Sequence, residues 1–323
     1  MKEIIVNRNE AGQRLDKLLG KYLNQAPKSF IYKMLRKKNI KLNDKKAEGN
    51  EILKEQDSIK LFLSEETIAS FQNHDKKLPL ADRKVELDIV YQDEDVIFVN
   101  KPAGMLSQKA DANDISLNEH LLSYVIKQNI LKEEELVHFR PSVCNRLDRN
   151  TSGLVLCGIS LKGLQELSEA LRERTVQKYY LTIVKGVVTK SGKIEGYLYK
   201  DEQKNTVIMK KEKSKDSSYV RTEYEPVSNN GTYTLLKVHL ITGKTHQIRA
   251  CLSLIGFPIL GDSKYGDILT NQEMKKDYSL KFQLLHSYQV VFPEDFSLKT
   301  LAGKTVTAKL PIQFLKMKKG LNL

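Results

Sequence analysis

Cysteine is scarce in this sequence. Cys144, Cys157 and Cys251 are its three, too few and too widely spaced for a disulfide framework or a zinc ribbon. They read as reduced thiols of a cytoplasmic protein. Long hydrophobic runs are also missing: no stretch approaches the ~18 apolar residues that a membrane-spanning helix requires. The opening MKEIIVNRNE lacks the apolar core of a secretory leader, so neither secretion nor membrane insertion is expected. With 17 glycines and 8 prolines in 323 residues, collagen-like repetition and low-complexity disorder are excluded as well. What remains is a soluble globular chain, 40% apolar and 29% charged. Its length suits about two domains with a sizeable core.

Acidic residues are outnumbered. The chain carries 53 lysines and arginines against 40 acids, a net charge of +13, which points to a polyanionic partner. The surplus is localised, because residues 1–63 hold 15 basic and 8 acidic side chains. Within residues 28–46 there are eight basic residues and one acid, Asp44. In the same segment Leu15, Leu18, Leu19, Tyr22 and Leu23 recur at helical spacing, and Pro27 ends that helix. Ser29 is the expected cap of a second helix with Phe30, Ile31, Met34 and Leu35 inward. Lys33, Arg36, Lys37 and Lys38 then fall on its outer face as candidate phosphate contacts. Strands are expected at residues 40–42 and 59–63, with a turn at Asn43-Asp44.

The strings RLDKLLGKYL, SFIYKMLRKKNIKLND and DSIKLFL, over about residues 14–63, resemble the S4 RNA-binding domain, in which two helices lay a basic surface on folded RNA. Residues 64–84 lack periodicity and read as a linker. From residue 85 to 323 strand-like runs dominate, at 85–91, 96–99, 154–157, 179–188, 233–241 and 282–292. Helices are expected at 117–127, 161–172 and 245–255. The fold class expected is α+β, a small amino-terminal module followed by a larger domain on a mixed, largely antiparallel sheet.

The chemistry concentrates at VCNRLDRNTSG, residues 143–153, where Asp148 stands among Arg146 and Arg149 ahead of the strand Leu154-Val155-Leu156. A carboxylate flanked by guanidiniums suits a nucleophile better than a proton donor. Taken alone, the trio fits a loop with ordinary ion pairs better. The longer string NRLDRNTSGLVL closely resembles the signature of the RluA-type pseudouridine synthases, specifically the ribosomal large-subunit enzymes that carry an S4 domain. Further segments agree in order: NKPAG at 100–104, QKYYL at 177–181, TGKTHQIR at 242–249, GFPILGD at 256–262, YG at 265–266 and LH at 285–286. Two positions depart from the family pattern. Asn145 stands where His is commonest, and Leu106-Ser107-Gln108 replaces a frequent V-H pair.

The resemblance implies isomerisation of uridine to pseudouridine within RNA, without a cofactor. It implies Asp148 as nucleophile or base, Arg249 as its ion-pair partner and Tyr180 as the aromatic that stacks on the target uracil. Arg146 would enter the base stack when the nucleotide is flipped out, and Lys101, His246 and Leu285 would complete substrate binding. Tyr179, adjacent on the strand, should face the other way. Large-subunit 23S ribosomal RNA, free or in an assembling particle, is the implied partner of a monomeric enzyme; transfer RNA is the alternative. Rival classes are a catalytically silent RNA-binding or ribosome-assembly protein, and a glycosidase, which needs a second carboxylate that is not apparent. The GKT at 243–245 lacks the first glycine of a phosphate loop, since Val238 stands there. No H-E-x-x-H or deaminase pattern involves the six histidines, and no metal is expected.

Overall fold

A computed structural model describes residues 1–72, 86–137, 139–201, 206–210, 212–214 and 216–323. The chain opens with β1 (Lys2–Ile5) and α1 (Leu15–Tyr22), whose Leu15, Leu18 and Leu19 are buried on one face, as their spacing predicts. Helix α2 (Lys28–Arg36) follows, but the expected Ser29 cap does not form. Pro27, fixed near φ −65°, takes the cap position, so the helix starts at Lys28 and Ser29 already lies in its first turn. Strands β2 (Ile40–Leu42) and β3 (Lys45–Lys46) form a hairpin whose Asn43 and Asp44 both adopt positive φ, as a tight two-residue turn demands. β4 (Ser58–Leu61) completes an antiparallel sheet of order β1-β4-β2-β3. Helix α3 (Glu65–Ser70), capped by Ser64, adds Ile68 to the same core. It occupies part of the segment expected as linker; residues 73–84 lie outside the described residues.

The remaining elements in chain order are β5 (Ile89–Gln92), β6 (Val96–Lys101), α4 (Leu117–Lys127), a 3-10 turn (Glu133–Val137), β7 (Ser142–Val143), β8 (Ser152–Gly158), α5 (Leu161–Glu173), β9 (Gln177–Lys185), β10 (Gly192–Asp201), β11 (Thr206–Lys210), β12 (Ser218–Asn229), β13 (Tyr233–Leu240), α6 (Gln247–Leu254), α7 (Ile268–Tyr278), β14 (Leu285–Val291), β15 (Thr305–Thr307) and α8 (Ile312–Gly320). Among the described residues these strands form one eleven-stranded sheet of order β11-β10-β12-β13-β9-β14-β8-β6-β5, with β15 on β14 and β7 on β8. Every pairing is antiparallel except β8 with β14. The expected strands and helices of this half are present, α4 at its expected bounds and the others with shifted ends, residue 85 lying outside the described residues. Strands β7, β10, β11, β12 and β15, the 3-10 turn and helices α7 and α8 are additions.

Strand β8 is buried along its whole length because both faces of the sheet are covered there. Val155 and Cys157 enter a core with α4 and α6, whereas Leu154 and Leu156 enter another with α5, Phe98 and Phe292. Each such side chain contributes about 1.5–3 kcal/mol. Gly153 makes the parallel contact of β8 and β14 possible. Its φ is +111°, and a Cβ there would sit 2.2 Å from the Ser287 carbonyl oxygen. Only glycine permits so close an approach of two backbones. Helix α4 is held in place by a reciprocal capping box of Ser116 and Glu119.

Candidate active site

The loop from Cys144 to Thr151 enters β8 and is fastened at several points. Asn145 Nδ2 donates to the Leu154 carbonyl (3.3 Å) and its Oδ1 accepts from the Leu156 amide (2.7 Å), so the loop continues the backbone pairing of β8. The buried Ser107 hydroxyl accepts from the Leu147 N–H and donates to its carbonyl, both at 3.0 Å. The residue that departs from the family pattern therefore clamps the peptide on the near side of Asp148. Lys101 is not brought into the cleft as a substrate-binding group. It is fully buried, and its ammonium donates to the carbonyls of Pro102, Met105 and Arg149 at 2.8–3.2 Å. Those three acceptors match its three donors. Burial lowers its pKa to about 7, against an opposing pull from Asp148.

Asp148 meets Arg249 of α6 across 101 residues of chain, with Nη1 donating to Oδ2 at 2.8 Å. The opposite edge of the same guanidinium is taken by Asp262, Nε to Oδ2 at 2.7 Å and Nη2 to Oδ1 at 2.8 Å. Arg249 is 5% exposed and the Asp262 side chain is not exposed at all, while Asp148 is 25% exposed. Burial alone would lower the Arg249 pKa, but the two carboxylates reverse this and raise it. Asp262 is destabilised by its own burial and yet held low by Arg249 and by backbone N–H groups of Lys264 and Tyr265. The bidentate pair fixes the plane of the guanidinium, which leaves one N–H aimed at Asp148. Asp148 Oδ1 has no donor among the described residues.

A cleft of about 890 Å³ opens above this pair, lined by Asp148, Arg249, Tyr180, Leu285, His246 and Arg146 among others. Five of the anticipated residues are thus gathered around the sixth. Tyr180 lies on β9 opposite Ser287 of β14, and burial pushes its hydroxyl up to about 12, with a Ser287 hydrogen bond opposing. Tyr179 faces the other side of the sheet and stacks on His239 with ring centroids 4.6 Å apart, as alternation predicts. Arg146 is exposed and pairs with no acid among the described residues, so it is not a second partner of Asp148. His246 precedes α6 with φ 53°; its Nδ1 lies 3.0 Å from the Tyr265 hydroxyl and its Nε2 4.0 Å from Asp148 Oδ2. The Tyr265 hydroxyl already accepts from the Val207 N–H, which leaves its own proton for Nδ1. Burial lowers the His246 pKa, keeping the ring neutral. The left-handed His246 also explains why α6 starts two residues later than the periodicity suggests.

The sequence agrees with this geometry. The family model described as RNA pseudouridylate synthase matches residues 95–254, the span that carries both Asp148 and Arg249. A ribosomal large subunit pseudouridine synthase C of Pasteurella multocida is 31% identical over 93% of this chain and 89% of its own. The chain belongs to the RNA pseudouridine synthase family. An uncharacterized RNA pseudouridine synthase of Mycoplasma genitalium is 30% identical over 96% of this chain and 92% of its own. The solved human RNA pseudouridylate synthase domain containing 4 shares the fold, with a TM-score of 0.58 over 72% of this chain and 92% of its own, at 23% identity. The mixed, largely antiparallel sheet with flanking helices is thus a pseudouridine synthase fold.

Three residues of the synthase site were not singled out in the sequence. Asp262 and Tyr265 stand inside quoted segments, and Ser107 inside a noted departure. The signal available for Asp262 was an acid between a Gly-Phe-Pro turn and Tyr-Gly, which reads as a loop until the fold seats it against Arg249. Tyr265 packs beside the same guanidinium, its ring centroid 5.2 Å from Arg249 Cζ. Among the described residues no cluster of three metal-ligating side chains occurs, and no helix is long and apolar enough to cross a membrane. The basic residues Lys33, Arg36, Lys37 and Lys38 are not brought to the cleft. All four are exposed on α2 and just after it.

Proposed function

We propose that this RNA pseudouridine synthase acts on large-subunit 23S ribosomal RNA in the cytoplasm, as a monomer without a cofactor, with Asp148 as its nucleophile or base. The observation that carries the reading is the chain Asp262–Arg249–Asp148: one carboxylate is spent on orienting the guanidinium, and the second is presented to a cleft walled by Tyr180 and Leu285. A uracil flipped from its helix would stack on Tyr180 with Leu285 beneath it. Extrusion costs roughly a few kcal/mol, and an unpaired Arg146 at the mouth is suited to fill the vacated stack. In the reaction the N1–C1′ bond breaks, the uracil turns, and C5 bonds to C1′; N1 gains a proton and the C5 hydrogen leaves to solvent. His246, neutral and near Asp148, would hold substrate rather than carry charge.

The ribosomal preference is supported by the amino-terminal residues 1–63, read as an S4-like module joined to a catalytic domain over 85–323. The names of relatives agree, among them a ribosomal large subunit pseudouridine synthase D of Borreliella burgdorferi, 31% identical over 83% of this chain and 80% of its own. Tritium release from RNA labelled at uridine C5 tests the proposal directly. Ribosomal RNA from cells lacking the enzyme should release tritium with the intact chain and not with Asp148→Asn, while the variant keeps its RNA affinity. Release by Asp148→Asn would overturn the assignment of the nucleophile, and release from transfer RNA alone would overturn the ribosomal substrate.

A further inference from the structure

Two cations in the cleft take no part in the pairing around Asp148. Lys178 lies on β9 two residues before Tyr180, so the two side chains leave the same face of the sheet, roughly 7 Å apart along the strand. Both line the cleft. Lys178 is only 8% exposed, yet no carboxylate among the described residues pairs with it. Its neighbour in the cleft is a second cation: Arg174, the residue that ends α5 in the left-handed conformation at φ 63°. Arg174 is exposed and likewise has no acidic partner among the described residues. Asp148 does not serve them: among the described residues the groups within ion-pair distance of it are Arg249 and His246.

A cation withdrawn from water beside a like charge is unfavourable unless an anion completes the set. Burial first, and the Arg174 charge second, lower the Lys178 pKa, as that arrangement requires. We propose that Lys178 and Arg174 form a phosphate-binding subsite for the RNA backbone next to the flipped uridine. The inference rests on the pseudouridine synthase reading of the cleft. The spacing supports it, since two residues of strand separate the subsite from Tyr180, a span comparable to that from a nucleobase to its own backbone phosphate. The chemistry does too: a buried ammonium supplies a point charge and an exposed guanidinium at the rim supplies a fork that matches phosphate oxygens.

The test uses the full chain and an unmodified transcript of large-subunit ribosomal RNA, with binding measured across a salt series and tritium release followed in parallel. Arg174→Gln and Lys178→Gln should each weaken binding by about tenfold, the scale of a lost charge-assisted hydrogen bond. Each should also reduce the slope of log affinity on log salt by about 0.7, and the double variant by about twice that. Lys178→Arg should restore most of the loss. Lys299→Gln, exposed and away from the cleft, should change neither quantity. Unchanged affinity and slope in both single variants would overturn the subsite. If Lys178→Gln lowers the melting temperature, Arg174→Gln decides alone, since its side chain is exposed. An intact chain that releases no tritium from any RNA would instead defeat the functional reading, a result distinct from unchanged slopes in an active enzyme.

Discussion

Replacing Asp262 with Asn isolates the buried pair from the cleft-facing carboxylate of Asp148. Asn keeps the shape and one acceptor, so the Lys264 and Tyr265 N–H groups that bond Oδ1 can remain satisfied. What is lost is the charge opposite a guanidinium that is 5% exposed and bonded to Asp262 at 2.7 and 2.8 Å. Breaking a buried pair on one side costs about 3–5 kcal/mol, because the other charge stays buried; Arg249 keeps Asp148, which sets the expectation at the lower end. For a domain of this size about 3 kcal/mol corresponds to a fall in melting temperature of roughly 6–12 °C. The second effect is geometric. Without its bidentate anchor the guanidinium turns toward its remaining partner, and a displacement of Asp148 on the order of 1 Å lowers turnover by about 100-fold. Asp262 is buried away from the cleft surface, so RNA affinity should hold. Calorimetric melting with single-turnover tritium release at saturating RNA reads both effects. The pair Arg249→Met with Asp262→Leu removes both buried charges and should recover stability relative to Asp262→Asn without recovering turnover. A variant Asp262→Asn that melts within 2 °C of the parent, and turns over within about threefold of it, would refute the claim that Asp262 sets the position of Asp148.

Three further outcomes follow from other parts of the molecule. Gly153→Ala should cost at least about 2 kcal/mol in a urea titration, since its Cβ would meet the Ser287 backbone where φ is +111°; an unchanged midpoint would show that β8 and β14 can separate freely. His286 is fully buried and bonded to Ser152, and burial drops its pKa to about 4, so only the unfolded chain takes up a proton near pH 6.5. Stability from this site is therefore complete above pH 6.5 and falls by roughly 3 kcal/mol as pH descends to about 4, a dependence that His286→Gln should flatten. Neutralising Lys33, Lys37 and Lys38 together should weaken RNA binding and lower its salt slope by about 2, with melting unchanged because all three are exposed. An unchanged slope would remove α2 from the RNA footprint.

Much of the frame is legible in the chain because it rests on local rules. Helix α4 spans Leu117–Lys127 as the sequence pattern indicates, and alternation along β9 separates Tyr180 from Tyr179. Strands β10 and β12 escape the same reading because charged and tyrosine residues on the exposed face dilute their alternation; Ile194 and Leu198 are buried among Lys193, Glu195 and Tyr197. Helix α7 escapes it because Ile268 and Leu269 are exposed, so its apolar residues mark no inner face. Ser29 misleads because a proline two residues earlier already supplies the φ that starts a helix.

The sequence by itself singled out Asp148, Arg249 and Tyr180, because these residues stand in ordered motifs that resemble those of the family. Only the tertiary structure decided how they work together. Lys101 lies in a motif with the others, but packing turns its ammonium inward onto three carbonyls. Asp262 reads as a turn acid until the fold lays it against Arg249, where a buried guanidinium requires a second carboxylate. Lys178 and Arg174 stand four residues apart, at the start of β9 and just past α5, and only the fold buries Lys178 and brings both to the cleft. Burial and charge pairing are properties of surfaces brought together across the chain, and no local spacing encodes them.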